Sequence, residues 1–114
     1  MTHASVENWK ALSEEERVFQ LVNALLLNEV GVADPAFCAG YIQSRARTKD
    51  WADRARLDIQ YYERVGKLRE DGKISSCEKI KQQALGMVDM SADEMRAEMS
   101  RLYQEAQQRL EAST

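Results

Sequence analysis

The 114-residue chain contains one proline, one histidine, two cysteines and five isolated glycines. Proline and glycine disfavour helix interiors, so their scarcity, beside abundant Ala, Leu, Glu, Gln and Arg, predicts an all-α fold. No stretch alternates polar and apolar residues in the way that a half-buried strand does. No run of about 18 apolar residues is present, so the sequence predicts no membrane-spanning helix and no membrane partner.

The groups that carry most catalytic and metal chemistry are also scarce. His3 is the only histidine, so no Ser-His-Asp triad or His-based general acid can be assembled. The chain has no metal-ligand spacing of Cys, His or Asp residues, and no glycine-rich phosphate loop. We therefore predict a non-enzymatic protein with no catalytic residues, no metal and no small-molecule cofactor.

The composition bounds the size and the environment of the fold. Hydrophobic residues make up 44% of the chain and charged residues 31%, which is typical of a globular domain. We predict one helical domain over residues 1–114, a single-domain bundle of four to five helices. The first ten residues lack a basic region followed by an apolar one, so we expect no secretory signal, a cytoplasmic location and reduced Cys38 and Cys77.

Side chains that cap helices mark the predicted boundaries. Three sites read Ser-x-x-Glu, the pattern of a capping box: Ser13 to Glu16, Ser75 to Glu78 and Ser91 to Glu94. Asp34-Pro35 marks a fourth start, with Asp as the N-cap. A short helix is predicted over residues 5–12, and the four to five helices of the bundle over 14–29, 35–47, 50–70, 76–87 and 92–111. Whether residues 48–50 separate two helices or lie within one long helix over 35–70 stays open.

The segment from Val18 to Leu27 is apolar at every position except Gln20 and Asn23. A helix that is apolar nearly all round is buried on most of its sides. We therefore predict that the helix over about residues 14–29 is the central element of the bundle.

One face of the 50–70 helix is also predicted to point at the core, and its members share the helical period: Trp51, Ala55, Ile59, Tyr62 and Val65. Asp58 falls within this face. A buried carboxylate needs a partner, and Arg54, one turn earlier, is the expected one.

Methionine is concentrated near the end of the chain, where Met87, Met90, Met95 and Met99 fall within thirteen residues. Such flexible side chains suit adaptable protein contacts, although filling gaps in the core is the competing interpretation. The last helix carries an apolar stripe with spacings similar to those of a coiled coil. We predict an interaction or regulatory module, with homodimerisation favoured over a monomer, whose partner-binding residues are Met90, Met95, Met99, Leu102 and Tyr103.

The charge distribution supports an alternative function. Residues 45–81 carry eleven basic and seven acidic groups, net +4, between segments of net −4 (residues 1–44) and −3 (residues 82–114). A basic segment that contains aromatic residues is typical of nucleic-acid contacts, although a solvated face of mixed charge has the same composition. The alternative is a nucleic-acid-binding regulator that uses Arg45, Arg47, Arg54 and Arg56.

Overall fold

The structure is a computed structural model that describes residues 6–112, and these form six helices. The helices are α1 (Val6–Ala11), α2 (Glu14–Ala33), α3 (Pro35–Arg47), α4 (Trp51–Glu70), α5 (Cys77–Leu85) and α6 (Ala92–Ala112). The described residues contain no strand, so the all-α prediction is confirmed, with six helices in place of the predicted four to five. None of these helices combines the length and the apolar character that crossing a membrane requires. His3 and the start of the predicted 5–12 helix lie outside the described residues.

Local capping explains where most helices begin. Ser13 Oγ accepts a hydrogen bond from the Glu16 backbone N–H (3.1 Å), while Glu16 Oε1 accepts one from the Ser13 N–H (3.4 Å). Ser91 and Glu94 form the same reciprocal pair, at 3.2 and 3.0 Å. Both boxes satisfy backbone donors that a helix start leaves unpaired, so these two predictions are confirmed.

The third predicted capping box, from Ser75 to Glu78, is wrong. Ser76 is the N-cap of α5, and its side chain accepts from the Lys79 N–H at 3.2 Å. Ser75 is buried, and its backbone N–H donates to Glu29 Oε1 at 2.7 Å. A tertiary acceptor has therefore taken the N–H that Glu78 would have satisfied.

The segment between α3 and α4 breaks the chain into two helices, which answers the question left open over residues 35–70. Asp34 caps α3 as predicted, since its Oδ1 accepts from the Phe37 N–H at 3.3 Å. Asp50 caps α4 by accepting from the Asp53 N–H at 3.1 Å. α2 continues through Gly31 to Ala33, beyond its predicted end, and α5 ends at Leu85, before its predicted end.

The central position predicted for the apolar helix is confirmed, because α2 packs against α3, α4, α5 and α6. Leu21, Leu25, Leu26 and Val30 supply its buried face. Phe19 is an exception, with 68% of its surface exposed, so α2 is less enclosed than its composition predicts. The described chain measures 39 × 36 × 20 Å, which is about two helix diameters thick. A plate of this thickness leaves α2 only partly covered.

A buried carboxylate joins three distant parts of the chain. Glu29 on α2 is 7% exposed, and its Oε1 accepts from the Ser75 N–H and from Arg109 Nη2 of α6 at 2.6 Å. Arg69 of α4 donates from Nε to the Ser75 carbonyl oxygen at 3.2 Å. These bonds hold the segment between α4 and α5 against the central helix.

Candidate functional site

α4 presents a different face to the core from the one predicted. Its buried residues are Tyr61, Val65 and Leu68, whereas Trp51, Ile59 and Tyr62 are exposed. The helix is therefore turned by about one residue, or about 100°, from the predicted orientation. Ring stacking provides the physical reason, since Tyr61 packs on Tyr41 with ring centroids 4.5 Å apart.

The exposed face of α4 borders a groove that runs between α2, α3 and α4 and reaches α5. It consists of two adjoining cavities of about 640 and about 230 Å³, both lined by Asn23 and Tyr62. We call it the α2–α4 groove, and its lining residues are Phe19, Val22, Asn23, Leu26 and Leu27 of α2, Tyr41, Ile42, Arg45 and Ala46 of α3, Arg54, Asp58, Tyr61, Tyr62, Val65 and Arg69 of α4, and Cys77 and Ile80 of α5.

Large apolar side chains stand open to solvent at this groove. Phe19, Ile42 and Tyr62 line it, and Trp51 and Ile59 lie on the same side of α4 as Tyr62. The five side chains are between 47% and 80% exposed. Single exposed apolar residues are common on proteins, but three of them lining one concave surface, with two more on the adjoining side of α4, are typical of an interaction site.

Asp58 lies in the groove and holds its α3 and α4 walls together. It accepts from the Tyr41 hydroxyl at 2.7 Å and from Arg45 Nε at 3.0 Å. Arg54, the predicted partner, acts on Asp58 only through its charge, because its Nε donates to the Thr48 carbonyl oxygen at 2.6 Å. The hydrogen bonds from Arg45 and Tyr41 hold the pKa of Asp58 below its usual range, while burial and then the Asp58 carboxylate raise the pKa of Tyr41 to about 12.

The groove carries a net positive charge. Its lining contains three basic residues, Arg45, Arg54 and Arg69, and one acidic residue, Asp58, which gives +3 − 1 = +2. The adjoining stretch of residues 46–49 adds two basic residues, Arg47 and Lys49, and no acidic one. Within residues 6–112, neither Arg47 nor Lys49 of that stretch forms an ion pair.

The predicted nucleic-acid contacts are only partly brought together. Arg45 and Arg54 both line the groove, whereas Arg47 and Arg56 do not. Arg56 forms an ion pair with Asp53, one turn earlier on α4. The positive charge of residues 45–81 is therefore divided by carboxylates, and no single uninterrupted row of arginines results.

The predicted partner-binding residues near the end of the chain contribute mainly to packing. Leu102 is buried, and Met90, Met95 and Met99 are half-buried against the core. This is the placement that the gap-filling interpretation predicts. Met90 and Met95 do line a smaller cavity of about 220 Å³, and the Tyr103 ring is exposed, but Tyr103 is not part of that cavity.

The two cysteines are free and differ in exposure. Cys38 is buried, and burial, with a smaller contribution from Asp34, raises the pKa of its thiol. Cys77 is exposed at the α5 end of the groove. No group of three or more His, Cys, Asp or Glu residues within 6–112 is arranged to hold a metal ion.

Comparisons with known proteins found no matching family model, no matching curated protein and no matching solved structure. The geometry of the chain itself is therefore the basis for any proposal about function.

Replacing Tyr41 by phenylalanine is expected to lower the free energy of unfolding at pH 7 by about 1 kcal/mol, because Asp58 loses one of its donors and is still partly solvated. The native pKa of Asp58 lies below its ordinary value, so its contribution to stability is present above that value and is lost as the pH falls through the native pKa. Urea unfolding at pH 7 and pH 3 should therefore show a smaller effect of Tyr41→Phe in acid. Tyr103→Phe is the control, and an equal effect of Tyr41→Phe at both pH values would contradict the prediction.

Proposed function

We propose that this protein is a non-enzymatic helical interaction module that binds a partner protein in the α2–α4 groove. The observation that carries the proposal is the set of large apolar side chains left exposed around that groove. Removing apolar surface from water contributes about 25 cal/mol per Å², and buried aromatic residues dominate the energetics of many interfaces. The aromatic rings of Phe19 and Tyr62 would act as the main anchors.

The groove is a better candidate than the Met-rich surface, because its apolar side chains are still available. Met90, Met95 and Met99 already give much of their surface to the core. Phe19, Ile42 and Tyr62 keep between 47% and 68% of theirs exposed. Contact through Tyr103 stays a prediction, as does homodimerisation, and both are compatible with a partner in the groove.

A pair of double variants tests the proposed docking surface. Ile42→Glu/Tyr62→Glu places two charges where the partner's apolar side chains would lie, and burying an unpaired charge is costly. Leu85→Glu/Gln108→Glu adds charges at two exposed side chains outside the groove and outside the predicted partner-binding residues. Peptides of 20 residues are selected from a random display library against the wild-type protein, and their affinities for all three proteins are measured by fluorescence polarisation.

We expect the selected peptides to bind the groove variant at least about tenfold more weakly than the wild type, and the control with unchanged affinity. Circular dichroism verifies that both variants keep their helices. A library that yields no binder, or binders that do not distinguish the groove variant from the control, would disprove docking in the groove.

A further inference from the structure

We infer that the segment bound in the groove is an acidic amphipathic helix of another protein, an inference that rests on the proposed function. Its apolar side would lie against Phe19, Ile42 and Tyr62, and its acidic side chains would meet the arginines at the edges. The length of the groove, its charge and the unfavourable contacts that other occupants would make each support this one.

The dimensions of the groove suit a helix. The linings of its two cavities meet at Tyr62 and together reach along α4 from Arg54 to Arg69, which corresponds to about 22 Å at 1.5 Å per residue. An occupant helix of about 15 residues has the same length and presents apolar side chains at positions i, i+3, i+4 and i+7. The lining between the two arginines is mostly apolar and aromatic, so it can receive one such stripe.

The charge of the groove specifies the polar side of that helix. Arg54 and Arg69 stand at its two ends, and Arg45 stands on the α3 wall. Arg45 is already paired with Asp58. Arg47, the last residue of α3, and Lys49, two residues further on, form no ion pair among the described residues. Carboxylates of an incoming helix would complement these groups, and such complementarity mainly sets specificity and association rate.

The same charges disfavour the other occupants. A symmetric contact between two copies through this face would place two net-positive surfaces opposite each other. A single strand of nucleic acid would bring its phosphates close to the Asp58 carboxylate, which lies within the lining. An acidic helix meets neither difficulty, because its carboxylates can be spaced around Asp58.

Three synthetic 18-residue helical peptides test the inference. They share one apolar stripe of Leu and Phe and differ only on the polar side, which carries Glu, Gln or Lys. Fluorescence polarisation with the full chain at low salt should give an affinity about tenfold higher for the Glu peptide than for the Gln peptide, and the weakest binding for the Lys peptide. The preference for Glu should shrink at high salt, because exposed charges are screened.

Charge-reversal variants show whether the preference arises at the groove. Arg47→Glu/Lys49→Glu reverses two charges beside the groove lining and should reduce the preference for Glu severalfold while leaving the affinity for the Gln peptide unchanged. Lys10→Glu/Arg96→Glu changes the net charge equally at two exposed sites outside the groove and should keep the preference. The Glu peptide should also slow alkylation of Cys77 by iodoacetamide severalfold, since Cys77 lines the groove, while buried Cys38 stays unreactive with or without peptide.

The remaining outcomes separate this inference from the proposed function. If the Gln or Lys peptide binds as tightly as the Glu peptide and Ile42→Glu/Tyr62→Glu abolishes that binding, the groove docks a partner but the acidic inference is wrong. If light scattering gives twice the 13.0 kDa chain mass and the same variant dissociates the dimer, a second copy is the occupant. If an oligo-dT strand displaces the Glu peptide at lower concentration than the unlabelled peptide does, the ligand is nucleic acid. Each of these results overturns the inference.

Discussion

Replacing Glu29 by alanine should lower the free energy of unfolding by about 3 kcal/mol, close to the cost of breaking a buried ion pair. The variant removes the acceptor of the Ser75 N–H and the partner of Arg109. Arg109 Nε is already buried without a hydrogen-bond partner. In the variant, the guanidinium would also lose its one ion pair among the described residues. A large fraction of the stability of a small domain would be lost.

Urea unfolding followed by circular dichroism measures this effect. Glu29→Gln keeps an oxygen for the Ser75 N–H and should lose less stability than Glu29→Ala. Glu105→Ala is the matched control, because it removes an exposed carboxylate that pairs with Arg101, and exposed pairs contribute about 0–1 kcal/mol. Equal losses for Glu29→Ala and Glu105→Ala would show that the buried bonds do not hold the α4–α5 segment.

Replacing Leu25 by alanine should also cost about 3 kcal/mol, whereas Phe19→Ala should cost less than about 1 kcal/mol. Both residues belong to the apolar segment of α2, and phenylalanine is the larger. Leu25, however, is 2% exposed, and its truncation leaves a cavity in the centre of the bundle. Phe19 lies mostly in solvent, so its truncation removes little buried surface.

Urea unfolding of the two variants measures this difference in stability. An unchanged dependence of the unfolding free energy on urea concentration would show that each substitution alters stability alone. The two substitutions should have the opposite order of effect on peptide affinity. In conditions where both proteins are folded, Phe19→Ala should weaken binding in the groove more than Leu25→Ala does. If Phe19→Ala were the more destabilising substitution, the orientation of α2 would have to be revised.

The sequence predicts helix boundaries well where both partners of a cap lie close together in the chain. Ser13 and Glu16 are three residues apart, so their bonds depend on local geometry alone. The error at Ser75 has a different origin, because its acceptor, Glu29, lies 46 residues away. A local pattern contains no information about such a contact.

The orientation of α4 shows why periodicity alone is insufficient. The helix has apolar residues in two neighbouring sectors, one around Tyr61 and one around Tyr62, and both satisfy the helical period. Stacking of Tyr61 on Tyr41 selects the first sector. Asp58 within the second sector was the available signal, since a carboxylate on a helix face favours solvent over the core.

The candidate site depends on that orientation, so most of it was beyond reach of the sequence. Four helices contribute to the groove, and no contiguous motif encodes their arrangement. The charge distribution predicts Arg45 and Arg54, but the helical pattern of apolar residues places Phe19 and Tyr62 in the core. Their exposure follows from the packing of α2 and α4 together.

Because the molecule is 20 Å thick, binding of a partner in the groove would change its stability. A helix seated in the groove would form a third layer and enclose the side of α2 that now meets solvent. The bound chain would then have a larger apolar interior than the unbound chain has. A ligand that binds only the folded state adds RT ln(1 + [L]/Kd) to its free energy of unfolding. A partner in the groove would therefore make the chain more resistant to unfolding and to proteolysis.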